Sequence, residues 1–133
     1  MAATGDENSA DGQTPTVLII DDEPDIRNLY TLHLRPDYTV KTATNGDVAP
    51  EMVAETVDLV FCDRQMPQVS GDEFLQRLRD HSVDVPVVYI SAIDVPDESD
   101  QDYQGYLEKP ITGETLRETG ERYIKQGDAV AAD

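Results

Sequence analysis

Short runs of apolar, mostly β-branched residues recur along the chain, separated by segments whose apolar residues follow a helical spacing. Continuous apolar runs of strand length occur at Val17–Ile20, Leu59–Cys62 and Pro86–Ile90. Such runs are typical of strands that are buried on both faces. Two weaker strands are predicted at Tyr38–Ala43 and Tyr106–Leu107. The pattern therefore predicts five strands.

Helices are predicted between these strands and after the last one. The predicted segments are Asp25–Leu34, Val48–Glu55 with Pro50 in its first turn, a helix beginning after Ser70, and Thr112–Gln126. Ser70 and Glu73 have the S-x-x-E spacing of a capping box, in which each side chain bonds the other residue's backbone N–H. Strands that alternate with helices indicate an α/β fold, an open five-stranded parallel sheet with helices on both faces.

The chain length of 133 residues fits one domain with a single core. Residues 1–15 are small, polar and acidic, so we expect a disordered tail before a domain at 16–126. Residues 127–133 are predicted to form a polar C-terminal tail. The N-terminus lacks the basic and apolar regions of a signal peptide, and no apolar run approaches the roughly 20 residues of a membrane span.

The formal net charge of -18 is unusual for a chain of this size. It disfavours direct contact with nucleic acid or with an anionic membrane, since both are negatively charged. Acidic residues are spread along the whole chain, which is similar to proteins of extreme halophiles, although a specific cationic partner is an alternative. The single cysteine, Cys62, excludes an internal disulfide, fits a cytoplasmic location and is predicted to lie in the core.

Reactive side chains follow the predicted strands. The first strand runs into Asp21, Asp22 and Glu23, the third into Asp63, the fourth into Ser91, and the fifth is closely followed by Lys109. Because ligands of such sheets bind outside the carboxyl ends of the strands, these groups are expected to share one site. Asp21 and Asp22 could instead cap the first helix, a role that aspartate fills well.

A cluster of carboxylates has to bind a cation or a proton. Two like charges about 4 Å apart repel by roughly 1 kcal/mol even in bulk water, so three should either hold a proton or bind a cation. Oxygen ligands favour Mg²⁺, and there is no His/Cys cluster to indicate zinc. A carboxylate beside such a cation can act as a nucleophile, while Lys109 and Ser91 could contact phosphoryl oxygens.

Four motifs resemble those of response-regulator receiver domains in two-component signalling. They are LIIDDEP at 18–24, DRQMP at 63–67 followed by Gly71, ISA at 90–92, and YLEKP at 106–110. The resemblance covers about residues 16–126 and implies a flavodoxin-like receiver fold. It also implies that Asp63 is the phosphoacceptor and that a sensor histidine kinase or phosphotransfer protein is the phosphoryl donor.

The resemblance assigns a role to each remaining residue of the predicted site. Asp22, Asp63 and the backbone carbonyl of Gln65 would ligate Mg²⁺, with Asp21 acting largely through a bound water. Ser91 and Lys109 would contact the phosphoryl group. Tyr106 matches the aromatic residue that turns inward when the Ser91 hydroxyl moves toward the phosphate, although simple packing is an alternative for this tyrosine. The Lys109–Pro110 peptide bond is expected to be cis.

The chain departs from the family between the fourth and fifth strands. Residues 93–105 are short and acidic, contain Pro96 and have almost no apolar periodicity, so the fourth helix is predicted to be shortened or missing. That face usually carries dimerisation and output, which leaves a homodimer possible and the output open. The shortened segment resembles receivers of haloarchaeal HalX-type regulators. The chain is expected to be either a stand-alone receiver or a trimmed piece of a longer regulator.

Two other functions compete with a phosphoacceptor that promotes only its own phosphorylation and dephosphorylation. Phosphatases of the haloacid-dehalogenase kind also use an aspartate nucleophile and Mg²⁺. They carry a D-x-D pattern after the first strand, whereas Asp63 follows the third and the next residues are Arg64 and Gln65. A degenerate receiver that only binds partners is the other alternative, and the complete set of acidic, hydroxyl and lysine residues argues against it.

Overall fold

The computed structural model describes residues 14–35, 37–64, 66, 68–92 and 103–132, with side chains up to 124. These residues form five strands and four helices. The strands are β1 Thr16–Ile20, β2 Thr39–Ala43, β3 Leu59–Asp63, β4 Val87–Ser91 and β5 Gly105–Glu108. The helices are α1 Pro24–Leu34, α2 Pro50–Thr56, α3 Gly71–Asp80 and α4 Gly113–Ala132.

All strand pairs are parallel and the sheet has the order β2-β1-β3-β4-β5. The chain moves outward from β1 to β2 and then returns to β3 on the other side of β1. This change of direction opens a crevice at the carboxyl ends of β1 and β3, the place where ligands bind in open α/β sheets. The predicted five-stranded parallel sheet is confirmed.

Two apolar layers cover the two faces of the sheet, because successive side chains of a strand point to opposite sides. One layer joins α1 and α4 to the sheet and contains Val17, Ile19, Tyr30, Leu34, Tyr38, Leu59, Phe61, Val88, Ile90 and Leu116. The other joins α2 and α3 and contains Leu18, Ile20, Val53, Val57, Val60, Cys62, Phe74, Leu75, Leu78, Val83, Val87 and Tyr89. The prediction of Cys62 as a core residue is confirmed, since it is fully buried.

The helix boundaries follow local signals. Helices α1 and α2 both begin at a proline, which needs no backbone donor in the first turn. The Ser70 hydroxyl accepts a hydrogen bond from the Glu73 backbone N–H at 3.1 Å, as the capping box predicts. Helix α4 continues to Ala132, so the predicted helix end at Gln126 is wrong; the alanines that follow have high helix propensity.

The segment that precedes β5 is anchored at Gln104. Its backbone N–H donates to the Val87 carbonyl at 2.8 Å, and its side-chain oxygen accepts from Val87 and Arg79 at 2.9 Å each. The predicted shortening of the fourth family helix concerns mainly residues 93–102, and the predicted N-terminal tail mainly residues 1–13. Both stretches lie outside the described residues. Within the described residues, no helix combines the length and apolarity that crossing a membrane requires.

Candidate functional site

Asp21 is fixed at the carboxyl end of β1. Its backbone N–H donates to the Ala43 carbonyl at 3.1 Å, and its carboxylate accepts from the Glu23 N–H at 2.9 Å. The Arg27 side chain donates to the Asp21 carbonyl at 2.8 Å. Asp21 is 1% exposed, although aspartate is rarely buried without a partner. The turn after β1 therefore holds a buried carboxylate at the crevice.

Asp63 is the last residue of β3 and is 7% exposed. One carboxylate oxygen from each of Asp21, Asp22 and Asp63 lies within 4.8 Å of the other two. Asp22 is exposed at the mouth of the cluster, while the other two are buried. Three carboxylates at this spacing fit a small, hard cation with oxygen ligands, because such an ion offsets their mutual repulsion.

Lys109 follows β5 and brings a positive charge to this cluster. Its Nζ atom lies 3.5 Å from carboxylate oxygens of both Asp21 and Asp63, and its side chain is 22% exposed. Burial alone would lower the pKa of Lys109, but the charges of the two carboxylates outweigh it and raise the pKa. The three carboxylates carry more negative charge than this one ammonium group offsets.

The remaining predicted site residues that the structure describes lie on β4, on β5 or directly after β5. Ser91 ends β4, is buried, and its carbonyl accepts the Lys109 backbone N–H at 2.8 Å. The Lys109–Pro110 peptide bond is cis. Tyr106 lies on β5 at the edge of the sheet, where it packs edge-on against Tyr89 with ring centres 6.4 Å apart. Gln65, the predicted source of a carbonyl ligand, lies outside the described residues.

Sequence reasoning did not identify the side chains that surround Arg64, the residue after Asp63. The Arg64 Nε donates to the Asp72 carboxylate at 3.1 Å, and the Tyr89 hydroxyl donates to the same carboxylate at 2.8 Å. The sequence predicts Tyr89 only as part of a buried strand. A tyrosine in an otherwise aliphatic run was the available signal, because a buried tyrosine hydroxyl usually has a polar partner.

Gly71 lets helix α3 begin against the backbone of Asp63. A β-carbon at this position would lie 2.7 Å from the Asp63 carbonyl oxygen and 2.8 Å from the Arg64 Cα. We expect Gly71→Ala to lower the free energy of unfolding by about 1–3 kcal/mol, because backbone rather than a flexible side chain has to move. Chemical denaturation followed by circular dichroism measures this change.

Gly120→Ala is the matched control for this substitution. Gly120 lies inside α4, and the nearest atom to its added β-carbon is a side-chain atom, the Tyr38 hydroxyl at 3.2 Å, rather than backbone at 2.7 Å as at Gly71. Alanine is favoured over glycine in a helix by about 1 kcal/mol, so this variant should be as stable as the wild type or more stable. Equal stability of Gly71→Ala and the wild type would contradict the steric argument.

Comparison with known proteins relates the chain to a signalling family. Residues 17–121 match the profile of the family described as response regulator receiver domain. A candidate transcriptional regulator from Haloferax volcanii is 32% identical over 111 residues, which cover 81% of this chain and 19% of that protein. LuxN of Vibrio campbellii, an autoinducer 1 sensor kinase/phosphatase, is 34% identical over 125 residues, covering 90% of this chain and 15% of LuxN. The chain thus spans less than a fifth of either relative.

A solved structure shows the same fold over most of the chain. The response regulator protein TrrA from Thermotoga maritima, in complex with Mg²⁺ and beryllofluoride, superposes with a TM-score of 0.72 at 29% identity. The superposition covers 82% of this chain and 98% of TrrA. TrrA thus binds Mg²⁺ together with a beryllofluoride group.

Proposed function

This chain belongs to the family of response regulator receiver domains, and on that premise we propose that Asp63 is its phosphoacceptor. Domains of this family accept a phosphoryl group from a histidine kinase and signal by changing conformation. The observation that supports this role is that the Asp63 carboxylate lies 3.5 Å from the Lys109 ammonium and within 4.8 Å of carboxylate oxygens of Asp21 and Asp22. A nucleophile in this position has a cation for the incoming phosphoryl group and ligands for a metal ion.

Mg²⁺ is the proposed cofactor. Asp22 and Asp63 would hold it directly, Asp21 largely through a water, and the Gln65 carbonyl is included on the strength of the family resemblance. When bound, the ion neutralises charge on the phosphoryl oxygens, which is a large part of what phosphoryl transfer requires. The oxygen-only donor set of the three carboxylates supports this choice.

The chemical step is a transfer between two side chains. An Asp63 carboxylate oxygen attacks the phosphorus of a phosphohistidine, the new O–P bond forms and the P–N bond breaks. The electron pair of the broken bond stays on the imidazole nitrogen of the donor. Lys109 stabilises negative charge on the phosphoryl oxygens, and the Ser91 hydroxyl donates a hydrogen bond to one of them. Water later cleaves the acyl phosphate, which returns the carboxylate.

The proposed donor is a sensor histidine kinase or a phosphotransfer protein. The similarity to part of LuxN, a sensor kinase/phosphatase, supports this class of partner. The conformational response is proposed to pass from the Ser91 hydroxyl to Tyr106, as the family resemblance implies. The contact of Tyr106 with the buried Tyr89 ring supports this proposal, because a moving ring would repack against its neighbour.

Incubation with acetyl phosphate and Mg²⁺ followed by intact-mass analysis tests the proposed function. We expect the chain to gain one phosphoryl group and to lose it again over time. Repeated hydrolysis of a phosphomonoester would instead indicate a phosphatase. A chain that binds Mg²⁺ but never gains a phosphoryl group would indicate a receiver that serves only as a binding module.

Mg²⁺ should stabilise the folded chain through the carboxylate cluster. A ligand present at 100 times its Kd and bound only by the folded state adds about 2.7 kcal/mol to the free energy of unfolding. We expect Asp22→Asn to remove most of this increase, because it deletes the charge of one proposed ligand. Thermal or chemical denaturation with and without MgCl₂ measures the difference.

The control is Asp84→Asn, which makes the same change at an exposed aspartate outside the site. KCl at matched ionic strength separates binding from screening of the net charge of -18. The Mg²⁺ site would be disproved by an equal response of the two variants, or by KCl stabilising the wild type as much as MgCl₂.

A further inference from the structure

The first turn of α3 is held against the backbone that carries Asp63. The Gly71 backbone N–H donates to the Arg64 carbonyl at 3.0 Å. A β-carbon on Gly71 would lie 2.7 Å from the Asp63 carbonyl oxygen, which shows how closely the two backbones approach. The Arg64 backbone N–H donates to the Ile90 carbonyl of β4 at 3.3 Å. The residue after Asp63 is therefore tied by its backbone to both β4 and the start of α3.

Side chains join the same segments. The Arg64 Nε donates to both carboxylate oxygens of Asp72, at 3.1 and 3.3 Å. The Tyr89 hydroxyl donates to one of these oxygens at 2.8 Å, and the Arg64 guanidinium carbon lies 5.5 Å from the centre of the Tyr89 ring, a cation–π distance. We refer to Arg64, Asp72 and Tyr89 as the α3 clamp. It links the residue after Asp63 to the first turn of α3 and to the middle of β4.

The α3 clamp differs from an ordinary surface ion pair. The Asp72 side chain is 52% exposed, and an isolated pair at such exposure contributes little, because water screens it and two flexible side chains have to be ordered. Here the Tyr89 ring is fully buried, so its hydroxyl fixes one Asp72 oxygen from the core. Each of the three side chains contacts the other two, and such a network is stronger than its separate pairs.

We propose that Arg64 and Asp72 are positioning residues for the Mg²⁺ site. They hold α3 against the backbone of Asp63 and thereby fix the place of its carboxylate. In that place the carboxylate lies within 4.8 Å of those of Asp21 and Asp22. The inference rests on the proposed Mg²⁺ site, and it adds two residues that act through the backbone rather than as ligands.

The physical reason is the mutual repulsion of the three carboxylates. Because like charges at this spacing repel, the ligand set stays together only where the rest of the fold holds it. A site that is assembled before its ligand arrives has less ordering to undergo on binding, and it therefore binds more tightly. Residues that orient metal ligands from outside the ligand set change the affinity for the metal by about 10–100-fold when they are replaced.

The sign of the change in Mg²⁺ affinity separates positioning from electrostatics. Arg64→Met removes a positive charge, which by itself favours the binding of a divalent cation. Loss of the α3 clamp has the opposite effect, so we expect this variant to bind Mg²⁺ about ten-fold more weakly than the wild type. Isothermal titration calorimetry in about 1 M KCl measures the dissociation constant, because a screening length of about 3 Å suppresses the effect of distant charges.

Arg77→Met is the matched control. It removes the same charge from the same helix, at a 39% exposed side chain whose ion pairs are with Asp47 and Glu73. Its affinity for Mg²⁺ should stay within about two-fold of the wild type, since exposed ion pairs contribute little. An Arg64→Met variant that binds Mg²⁺ as tightly as the wild type, or more tightly, would overturn the proposal.

A double-mutant cycle with Asp72→Asn tests whether the two residues act as a unit. Either single substitution opens the α3 clamp, so the double variant should bind Mg²⁺ within about two-fold of Arg64→Met. Losses that add on a logarithmic scale would contradict the proposal, because the two residues would then act separately.

A neutral substitution and a charge-conserving one replace Arg64→Met if circular dichroism shows that it does not fold. Tyr89→Phe removes the hydroxyl that bonds Asp72, and Arg64→Lys keeps the charge but lacks the planar fork. Both should weaken Mg²⁺ binding, whereas Tyr123→Phe, which removes a hydroxyl bonded to the Gln104 carbonyl, should not. Unchanged affinity in both clamp variants would overturn the proposal.

The wild type distinguishes this inference from the proposed function. A wild type that binds no Mg²⁺ refutes the cofactor and with it the positioning. A wild type that binds Mg²⁺ and gains a phosphoryl group from acetyl phosphate, beside an Arg64→Met variant of equal Mg²⁺ affinity, refutes the positioning alone. Weaker binding by a folded Arg64→Met variant, without further loss in the double variant, supports it.

Discussion

An Asp63→Asn chain incubated with acetyl phosphate and Mg²⁺ should gain no phosphoryl group, whereas the wild type should gain one. Asparagine is close to aspartate in size, so the packing at the end of β3 is kept. Its amide is a poor nucleophile compared with a carboxylate, and its neutral side chain is a weaker ligand for a hard cation. The loss should be complete within the detection limit of intact-mass analysis.

Two controls make the Asp63 result specific. Asp84→Asn changes an exposed aspartate outside the site and should leave the adduct unchanged. Circular dichroism should show that Asp63→Asn is folded, since the substitution removes one of three mutually repelling carboxylates. An adduct that persists in Asp63→Asn at the wild-type level would refute the assignment, and peptide mapping would then locate the modified residue.

The sheet and the composition of the site could be predicted because both depend on local pattern and one topological rule. Apolar runs identify buried strands, and parallel strands place their carboxyl ends at one edge of the sheet. Asp21, Asp63, Ser91 and Lys109 each follow a strand directly or within a few residues, and the structure brings them to that edge. The members of the cluster could therefore be predicted from the residues at the ends of the strands and from the parallel arrangement of the sheet.

The sequence pattern does not predict which side chains of the site contact each other. Lys109 contacts Asp21 and Asp63 at equal distances of 3.5 Å, a detail set by the turn after β5. The bond between Arg64, the residue after β3, and Asp72 on α3 joins two side chains that could each have faced solvent. Such choices depend on the relative positions of elements to within about an ångström, which periodicity does not define.

The end of α4 shows a different limit of sequence reasoning. The sequence predicts a helix that ends at Gln126 and a polar tail after it, yet the helix runs to Ala132 although Gly127 and Asp128 are poor helix formers. Once a helix is formed, each further residue adds one hydrogen bond at little cost, because nucleation has already occurred. Following alanines can therefore carry a helix past two unfavourable residues.

Replacing Lys109 with methionine should lower the free energy of unfolding in Mg²⁺-free buffer by about 1–3 kcal/mol. Removing one partner of a fully buried ion pair costs about 3–5 kcal/mol, and the 22% exposure of Lys109 reduces this cost. The variant leaves two buried carboxylates without their cation. Lys41→Met, at an exposed position of β2, is the control and should change stability little.

The same variant separates folding from chemistry. Because Lys109→Met removes a positive charge beside the carboxylates, Mg²⁺ should stabilise this variant at least as much as it stabilises the wild type. Phosphoryl uptake should nevertheless fall, since the metal does not replace the ammonium that faces the incoming group. Restored stability with full phosphoryl uptake would show that Lys109 is needed for folding only.

The pH dependence of the unfolding free energy shows whether the positive charge of Lys109 stabilises the fold. Its pKa in the folded chain is raised above the ordinary value of 10.5, with burial opposing the shift and the carboxylates of Asp21 and Asp63 causing it. When the pKa of a basic group is higher in the folded chain than in the unfolded chain, the group stabilises the fold in full at any pH below its unfolded pKa. This stabilisation is lost as the pH rises through the folded pKa. The difference in unfolding free energy between the wild type and Lys109→Met, measured with EDTA, should therefore stay constant from neutral pH to about 10 and shrink above the ordinary pKa of lysine. A difference that persists undiminished beyond that range would mean that packing of the lysine stem, rather than its charge, stabilises the site.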